Sequence, residues 1–267
     1  MNTTLITGAS SGIGEAFARR LAARGHNLLL VSRTEENLIT LCSELGRGQR
    51  IRAQFVAIDL SQPDAPAQLF EEAARRDLQI DFLINNAGFG SMGDFAEFDL
   101  DRELNMIDLN VRSLVELTHR FLQPMRERKS GTIMNVASTA GFQAVPFMAT
   151  YAASKAFVLS FSESLWEENR PYGIEVMALC PGVTDTNFFD ASRMQRPPAR
   201  TSQTPDEVVD TALRALKRRK SSVISGWTNF MAVEAERVVP RKLILKAVGA
   251  VMRNHARSQE PGAGSRK

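Results

Sequence analysis

Short apolar runs alternate along the chain with longer segments in which apolar residues recur every three or four positions. The runs are TLIT (4–7), NLLLVS (27–32), AQFVAI (53–58), DFLI (81–84), GTIMNVAS (131–138), IEVMALC (174–180) and SSVIS (221–225). Their hydrophobicity is continuous instead of alternating, the pattern of strands covered on both faces of a parallel sheet. Helical segments fall between them at 12–25, where Ile13, Phe17 and Leu21 share a stripe, and at 35–45, 64–77, 99–125, 148–170 and 205–219. Strand and helix in alternation imply right-handed crossovers. The expected fold is α/β, a doubly wound parallel sheet of about seven strands with helices on both faces.

Composition narrows this little. The chain has 267 residues, 43% of them apolar, with a formal net charge of +3. Those values describe an ordinary globular protein and exclude fibrous and disordered classes. One domain is expected over 1–253, including a C-terminal helical segment at about 228–253, with a polar tail at 254–267 that frays. Cys42 and Cys180 stand far apart with no CxxC, which suits free thiols in a reducing compartment. His26, His119 and His255 are isolated, so no zinc pattern assembles and no metal is expected. No basic segment with an apolar core precedes the first run, and a cytoplasmic location is the expectation.

Charge is unevenly distributed. Residues 214–257 hold eleven Lys or Arg against two Glu. Within them, LILKAVGAVM is too short to span a membrane and carries a lysine. A helix starting at Pro240 would place Lys242, Lys246, Gly249 and Arg253 on one face and Leu243, Ile244, Ala247, Val248, Val251 and Met252 on a broad apolar surface. Packing on the domain itself or on an identical subunit is the plain reading. Weak peripheral contact with an anionic membrane is the sharper one.

The chemistry begins directly after the first strand. TGASSGIG places glycines at 8, 12 and 14 ahead of an amphipathic helix. Glycines there permit a tight turn and close approach of backbone N–H groups to a pyrophosphate, and the helix N-terminus adds partial positive charge. A flexible turn is the bland alternative, but strand before and helix after is the context that dinucleotide binding requires. Farther on, Tyr151 and Lys155 in YAASK share one helical face. Tyrosine is a poor base near neutrality, and a nearby ammonium lowers the pKa of an acidic group by about 1–3 units. The pair therefore fits acid/base work.

The G-x3-G-x-G spacing, NNAG at 85–88 and Tyr151-x-x-x-Lys155, in that order, resemble the short-chain dehydrogenase/reductase family over residues 3–186. The resemblance implies a Rossmann-like fold and an oxidoreductase that moves a hydride between a nicotinamide and a carbonyl or secondary alcohol carbon. It implies a catalytic set of Asn110, Ser138, Tyr151 and Lys155. Tyr151 would be the acid/base, Lys155 would tune it and hold ribose hydroxyls, and Ser138 would position the substrate oxygen. Asn110 would complete a proton relay, and Thr139 competes with Ser138. An asparagine inside an apolar-periodic helix also disfavours helix on its own account, which suggests a purpose there.

For the cofactor, the resemblance implies contacts from Gly8, Ser10, Ser11, Gly12, Ile13 and Gly14, from Asp59 and Leu60 on the adenine, and from Asn86, Ala87 and Gly88 toward the nicotinamide ribose. Pro181, Gly182, Val183 and Thr186 in CPGVTDT would flank the nicotinamide, with Thr184 as the competing candidate. A carboxylate closing the second strand would repel a 2′-phosphate, whereas arginine attracts it. Here Ser32 takes that place and Arg33 follows, so NADP(H) is expected, with NAD(H) as the runner-up and Ser11 standing where many NADP-dependent relatives carry a basic residue. Residues 187–204 read as a long loop closing over the site, in which Phe188, Phe189 and Met194 suggest an apolar substrate surface. The expected partners are a small carbonyl or alcohol substrate and further copies of the chain, with no nucleic acid. Rival readings are a cofactor sensor without turnover and an epimerase or dehydratase with the same Tyr/Lys chemistry.

Overall fold

The computed structural model describes residues 3–48, 51–192, 202–236 and 238–257. Seven strands form one sheet: β1 (Thr3–Thr7), β2 (Asn27–Ser32), β3 (Ala53–Ala57), β4 (Ile80–Asn85), β5 (Gly131–Val136), β6 (Ile174–Cys180) and β7 (Ser222–Ile224). The helices are α1 (Gly12–Ala22), α2 (Glu35–Gly48), α3 (Ala65–Arg75), α4 (Leu100–Ile107), α5 (Leu114–Glu127), α6 (Ala149–Asn169), α7 (Phe188–Ala191), α8 (Pro205–Leu216), α9 (Trp227–Glu236) and α10 (Arg241–Arg257). The strand order is β3-β2-β1-β4-β5-β6-β7. Every neighbouring pair is parallel.

This order explains where a site can form. The chain winds outward through β2 and β3, then crosses back to place β4 on the other side of β1. The connections leaving β1 and β4 therefore diverge, which opens a crevice at the carboxyl ends of the central strands. The continuous hydrophobicity of the strands is accounted for by the two faces. Leu28 and Leu30 pack with Phe17 and Leu21 of α1, Leu38 and Leu41 of α2, and Val208 and Leu213 of α8. Leu29 and Val31 point the other way, toward Leu69 of α3 and Leu117 and Phe121 of α5. Each fully buried leucine contributes about 1.5–3 kcal/mol, so the run Leu28–Val31, at 1% exposure or less throughout, anchors both layers.

Several boundaries differ from the pattern-based expectation for local reasons. α1 stops at Ala22 because Gly25 (φ 82°) turns the chain back. β5 stops at Val136, and Ser138 instead caps a short 3-10 turn by accepting a hydrogen bond from the Ala140 N–H. The helix expected at 99–125 is α4 and α5 joined by a π-helical segment, Asp108–Ser113. A wider turn of this kind inserts extra backbone into a helix and commonly marks a working position. The C-terminal segment is two helices with Pro240 just ahead of the second, and α10 continues to Arg257, past the expected start of the tail. Gly249, expected on the basic face of α10, is buried near Pro146, while Lys242, Lys246 and Arg253 are exposed. Among the described residues no helix is long and apolar enough to cross a membrane.

Candidate functional site

The glycine loop occupies the crevice. Gly8 has φ 65° and Gly12 φ 58°, left-handed conformations that a side chain strains. Gly14 meets a different limit: a Cβ there would lie 2.2 Å from the Gly8 carbonyl oxygen, so α1 approaches the loop more closely than any other residue permits. Ser11 precedes α1 as its N-cap without a side-chain capping bond, and Ser10, Ser11 and Ile13 are all partly exposed. The first-turn N–H groups of α1 thus need a partner from outside the helix.

Asn86 ties this loop to β4. Its Nδ2 donates to the carbonyls of Thr7 (3.0 Å) and Gly8 (3.2 Å). The Thr7 hydroxyl accepts from the N–H groups of Asn86 and Ala87, both at 3.0 Å. On the far side of β1, Ser32 pairs with Ala57, and the Ile58 N–H donates to the Ser32 carbonyl. Arg33 and Asp59 therefore each lie just beyond the end of one of two neighbouring strands. Arg33 is exposed and makes no hydrogen bond or ion pair with the described residues. Asp59 turns inward on its own loop, accepting from the Ser61 N–H (3.0 Å) and hydroxyl (2.9 Å), with Leu60 buried beside it.

Asn110, Ser138, Tyr151 and Lys155 converge at the ends of β4 and β5. Asn110 sits in the π-helical segment and is 1% exposed. Its side chain accepts from the Phe89 N–H (3.2 Å) and donates to the Phe89 carbonyl (2.9 Å) and the Ser154 hydroxyl (3.1 Å). Gly88 keeps this position open, since a Cβ there would meet Asn110 Oδ1 at 2.9 Å. Lys155 Nζ donates to the Val136 carbonyl at 2.8 Å, and lies 5.8 Å from the Tyr151 ring centroid.

The electrostatics differ from the expectation of an ammonium lowering the tyrosine pKa. Burial pushes the Tyr151 hydroxyl up to about 12, and a hydrogen bond with the Ser138 side chain acts in the opposite direction. The Lys155 ammonium is committed to the Val136 carbonyl, and burial pulls its pKa down to about 8, against a smaller upward pull from Cys180. Tyr151 therefore holds its proton at neutral pH, while Lys155 titrates just above it. Cys180, 0% exposed, is pushed up to about 12 by the same burial, which keeps it a neutral thiol.

The segment after β6 closes the site from above. The Thr139 N–H donates to the Pro181 carbonyl, holding the two strand ends together. Gly182 packs so tightly that a Cβ would fall 2.3 Å from Asn229 Nδ2. Val183 is 44% exposed and its carbonyl accepts from the Gln203 N–H, while Thr184, bridged to Gln203, is buried with its hydroxyl donating to the Gly182 carbonyl. Thr186 reaches the glycine loop: a Cβ on Gly12 would meet its Cγ2 at 2.9 Å. Of the two threonines, it is thus Thr186 that faces the cradle.

Phe188, expected on an apolar substrate surface, and Ser192, Ser154, Asn229 and Gln203, which sequence patterning did not single out, complete the arrangement. Phe188 sits 5.5 Å from the Tyr151 ring, centroid to centroid, and Ser192 accepts from the Gly90 N–H at 2.9 Å. Ser154 holds Asn110, and Asn229 with Gln203 braces the Gly182 turn. The sole advance signal for Ser154 is its position three residues after Tyr151. Tyr151 itself lies in an apolar cluster with Met106, Val145 and Met148, packed against Phe89, Phe188, Phe189 and Met252. Met194 lies outside the described residues.

A family model described as short chain dehydrogenase matches residues 2–197. The chain belongs to the short-chain dehydrogenase family. Two relatives place it among family members of known name. It is 33% identical over 225 residues to the ketoacyl reductase HetN of Nostoc sp., covering 83% of this chain and 77% of that one. It is 32% identical over 233 residues to a 7beta-hydroxysteroid dehydrogenase of Mediterraneibacter gnavus, covering 86% and 88%. A solved short-chain dehydrogenase from Sphingobium yanoikuyae, in complex with NADPH, superposes with a TM-score of 0.80 at 31% identity, covering 100% of this chain and 99% of the other. Short-chain dehydrogenases are oxidoreductases of nicotinamide cofactors and small carbonyl or alcohol substrates, and the seven-stranded parallel sheet described above is their Rossmann-like fold.

Proposed function

We propose that the protein is an NADP(H)-dependent oxidoreductase that interconverts a ketone and a secondary alcohol, with Tyr151 as the proton carrier. The observation that carries the reading is the burial of Tyr151, still protonated at neutral pH, beside Ser138 and Lys155 at the mouth of the glycine-lined crevice. The cradle fits a dinucleotide. A Cβ at Gly12 would strike Thr186 and one at Gly14 the Gly8 carbonyl, so the tight loop requires both glycines, and the uncapped N-terminus of α1 offers N–H groups to an anion.

Gly8, Ser10, Ser11, Gly12, Ile13 and Gly14 would hold the pyrophosphate. Asp59 and Leu60 would border the adenine, Asn86, Ala87 and Gly88 the inner ribose, and Pro181, Gly182, Val183 and Thr186 the nicotinamide. When bound, the nicotinamide cofactor supplies or takes up the hydride. The remaining steps belong to the chain. Ser138 donates a hydrogen bond to the substrate carbonyl oxygen and holds it against the Tyr151 hydroxyl. Tyr151 gives its proton to that oxygen during reduction and recovers it in the reverse direction. Lys155 has ammonium protons beyond the one given to the Val136 carbonyl, and these hold ribose hydroxyls and return a proton to Tyr151. Asn110 fixes the Phe89 backbone and thereby the wall of the site.

Preference for NADP(H) rests on Arg33, an exposed guanidinium with no competing partner among the described residues, which follows Ser32 where a carboxylate would close β2. Support also comes from the NADPH held by the Sphingobium yanoikuyae relative. A reduction screen over ketones and aldehydes with each cofactor, read by the near-ultraviolet absorbance of the reduced form, tests the reading. Turnover of apolar ketones with NADPH is expected. Tight NADPH binding with no turnover on any carbonyl would favour a sensor instead.

A further inference from the structure

A second cavity borders the active site. It is a solvent-open cleft of about 570 Å³ between α10 and the segment leading into α6, a size typical of small-molecule sites. Pro146, Phe147, Leu245 and Gly249 make an apolar wall, while Lys246 and Arg253 bring two cationic side chains to it. Asp94 is the one acid on the lining among the described residues, and its Oδ1 already accepts from the Ala96 N–H.

Three details show that the cavity is built into the fold and connected to Tyr151. First, Phe147 has φ 66°, a left-handed conformation that is strained for a bulky residue, and the Gly93 N–H holds it by donating to its carbonyl at 2.9 Å. Second, α10 packs against the segment leading into α6 here, with Gly249 buried and its Cβ position at ordinary contact distance, 3.5 Å, from Pro146 Cγ. Third, α10 borders the cluster around Tyr151 as well as the cavity. The inner face of α10 spans both spaces: Leu245 and Gly249 line the cavity, and Val248 and Met252 pack on the cluster around Tyr151.

We propose that this cavity binds the anionic end of an amphipathic carbonyl substrate, whose apolar body runs along α10 toward Tyr151. The inference rests on the oxidoreductase reading for the identity of the reacting group, but not for binding. An apolar wall desolvates the chain of such a ligand, and Lys246 with Arg253 replaces the water lost by its carboxylate. A neutral ligand of equal size gains only the first of these.

Calorimetric titration with decanoate, decanol and acetate separates the contributions. Wild type should bind decanoate at least about tenfold more tightly than decanol, the difference a charge-assisted hydrogen bond supplies, and should bind acetate weakly. In a Lys246→Gln/Arg253→Gln variant, which alters two exposed side chains, the decanoate preference should fall to within about twofold of parity. Gly249→Leu should weaken both long-chain ligands together. Equal affinities for decanoate and decanol in wild type, or a preference that survives in the double variant, would overturn the proposal. Acetate binding as tightly as decanoate would do the same, because it marks a simple anion site. None of these titrations depends on turnover, so a failure here is distinct from a failure in the reduction screen.

Discussion

Lys155 offers a test that joins burial to pH. Burial holds its ammonium at about 8, against an ordinary lysine value of 10.5. Between those two values the unfolded chain keeps a proton that the folded protein has shed. The unfolded state therefore binds more protons there, and the stability of the folded protein rises with pH. Integrating the two titrations from about pH 7 to about pH 9.5 gives a gain of about 2 kcal/mol from this one group. Lys155→Met removes it. The variant also leaves the Val136 carbonyl without its donor, a loss that does not change with pH. Tyr151, whose folded value of about 12 exceeds the ordinary 10, begins to lower stability only above that range and does so equally in both proteins. Urea denaturation of the cofactor-free proteins at the two pH values is the assay. The stability of wild type minus that of Lys155→Met should grow by about 2 kcal/mol on going to the higher pH. A difference that stays constant would show that the lysine is not desolvated in the folded state, and the account of its environment would be wrong.

Two further outcomes follow from named contacts. Arg33→Ala should weaken NADPH binding by about 1.5–3 kcal/mol, the range for hydrogen bonds to charged groups, and leave NADH nearly unchanged, as fluorescence titration of each cofactor would read; equal losses would remove Arg33 from phosphate recognition. Asn110→Ala strips partners from the buried Phe89 N–H and carbonyl and from Ser154, and should cost about 2–4 kcal/mol in denaturant unfolding, whereas a loss below about 1 kcal/mol would show that water or a shifted backbone replaces the side chain.

What could be read from the sequence follows from what each feature depends on. The sheet was legible because its central strands are buried on both faces, so Leu28–Val31 and Val176–Cys180 show continuous apolar runs. The glycine loop was legible because its conformation admits no side chain, and Tyr151 with Lys155 because four residues make one helical turn. The π-helical segment was not, since DLNVRS lies in apolar periodicity that an unbroken helix satisfies equally well. Its cause is tertiary: Asn110 bonds to Phe89, which lies in a distant loop. The direction of the Tyr151 pKa was not legible for a similar reason, because spacing shows that a lysine is near but not that the hydroxyl is buried deeply enough for desolvation to raise its pKa. The cavity beside α10 is formed by loops at 93–95 and 146–149, whose meeting no local pattern announces.

The central claim is that hydride reaches a carbonyl carbon while Tyr151 supplies the proton to its oxygen. Incubating wild type and Tyr151→Phe with an apolar ketone and NADPH carrying deuterium on both faces of the reactive carbon, then weighing the alcohol by mass spectrometry, tests both halves at once. Wild type should yield alcohol with one deuterium on the carbinol carbon, and Tyr151→Phe should bind NADPH normally while product formation falls by at least about a hundredfold. Alcohol without deuterium, or deuterated alcohol formed at an undiminished rate by Tyr151→Phe, would contradict the account.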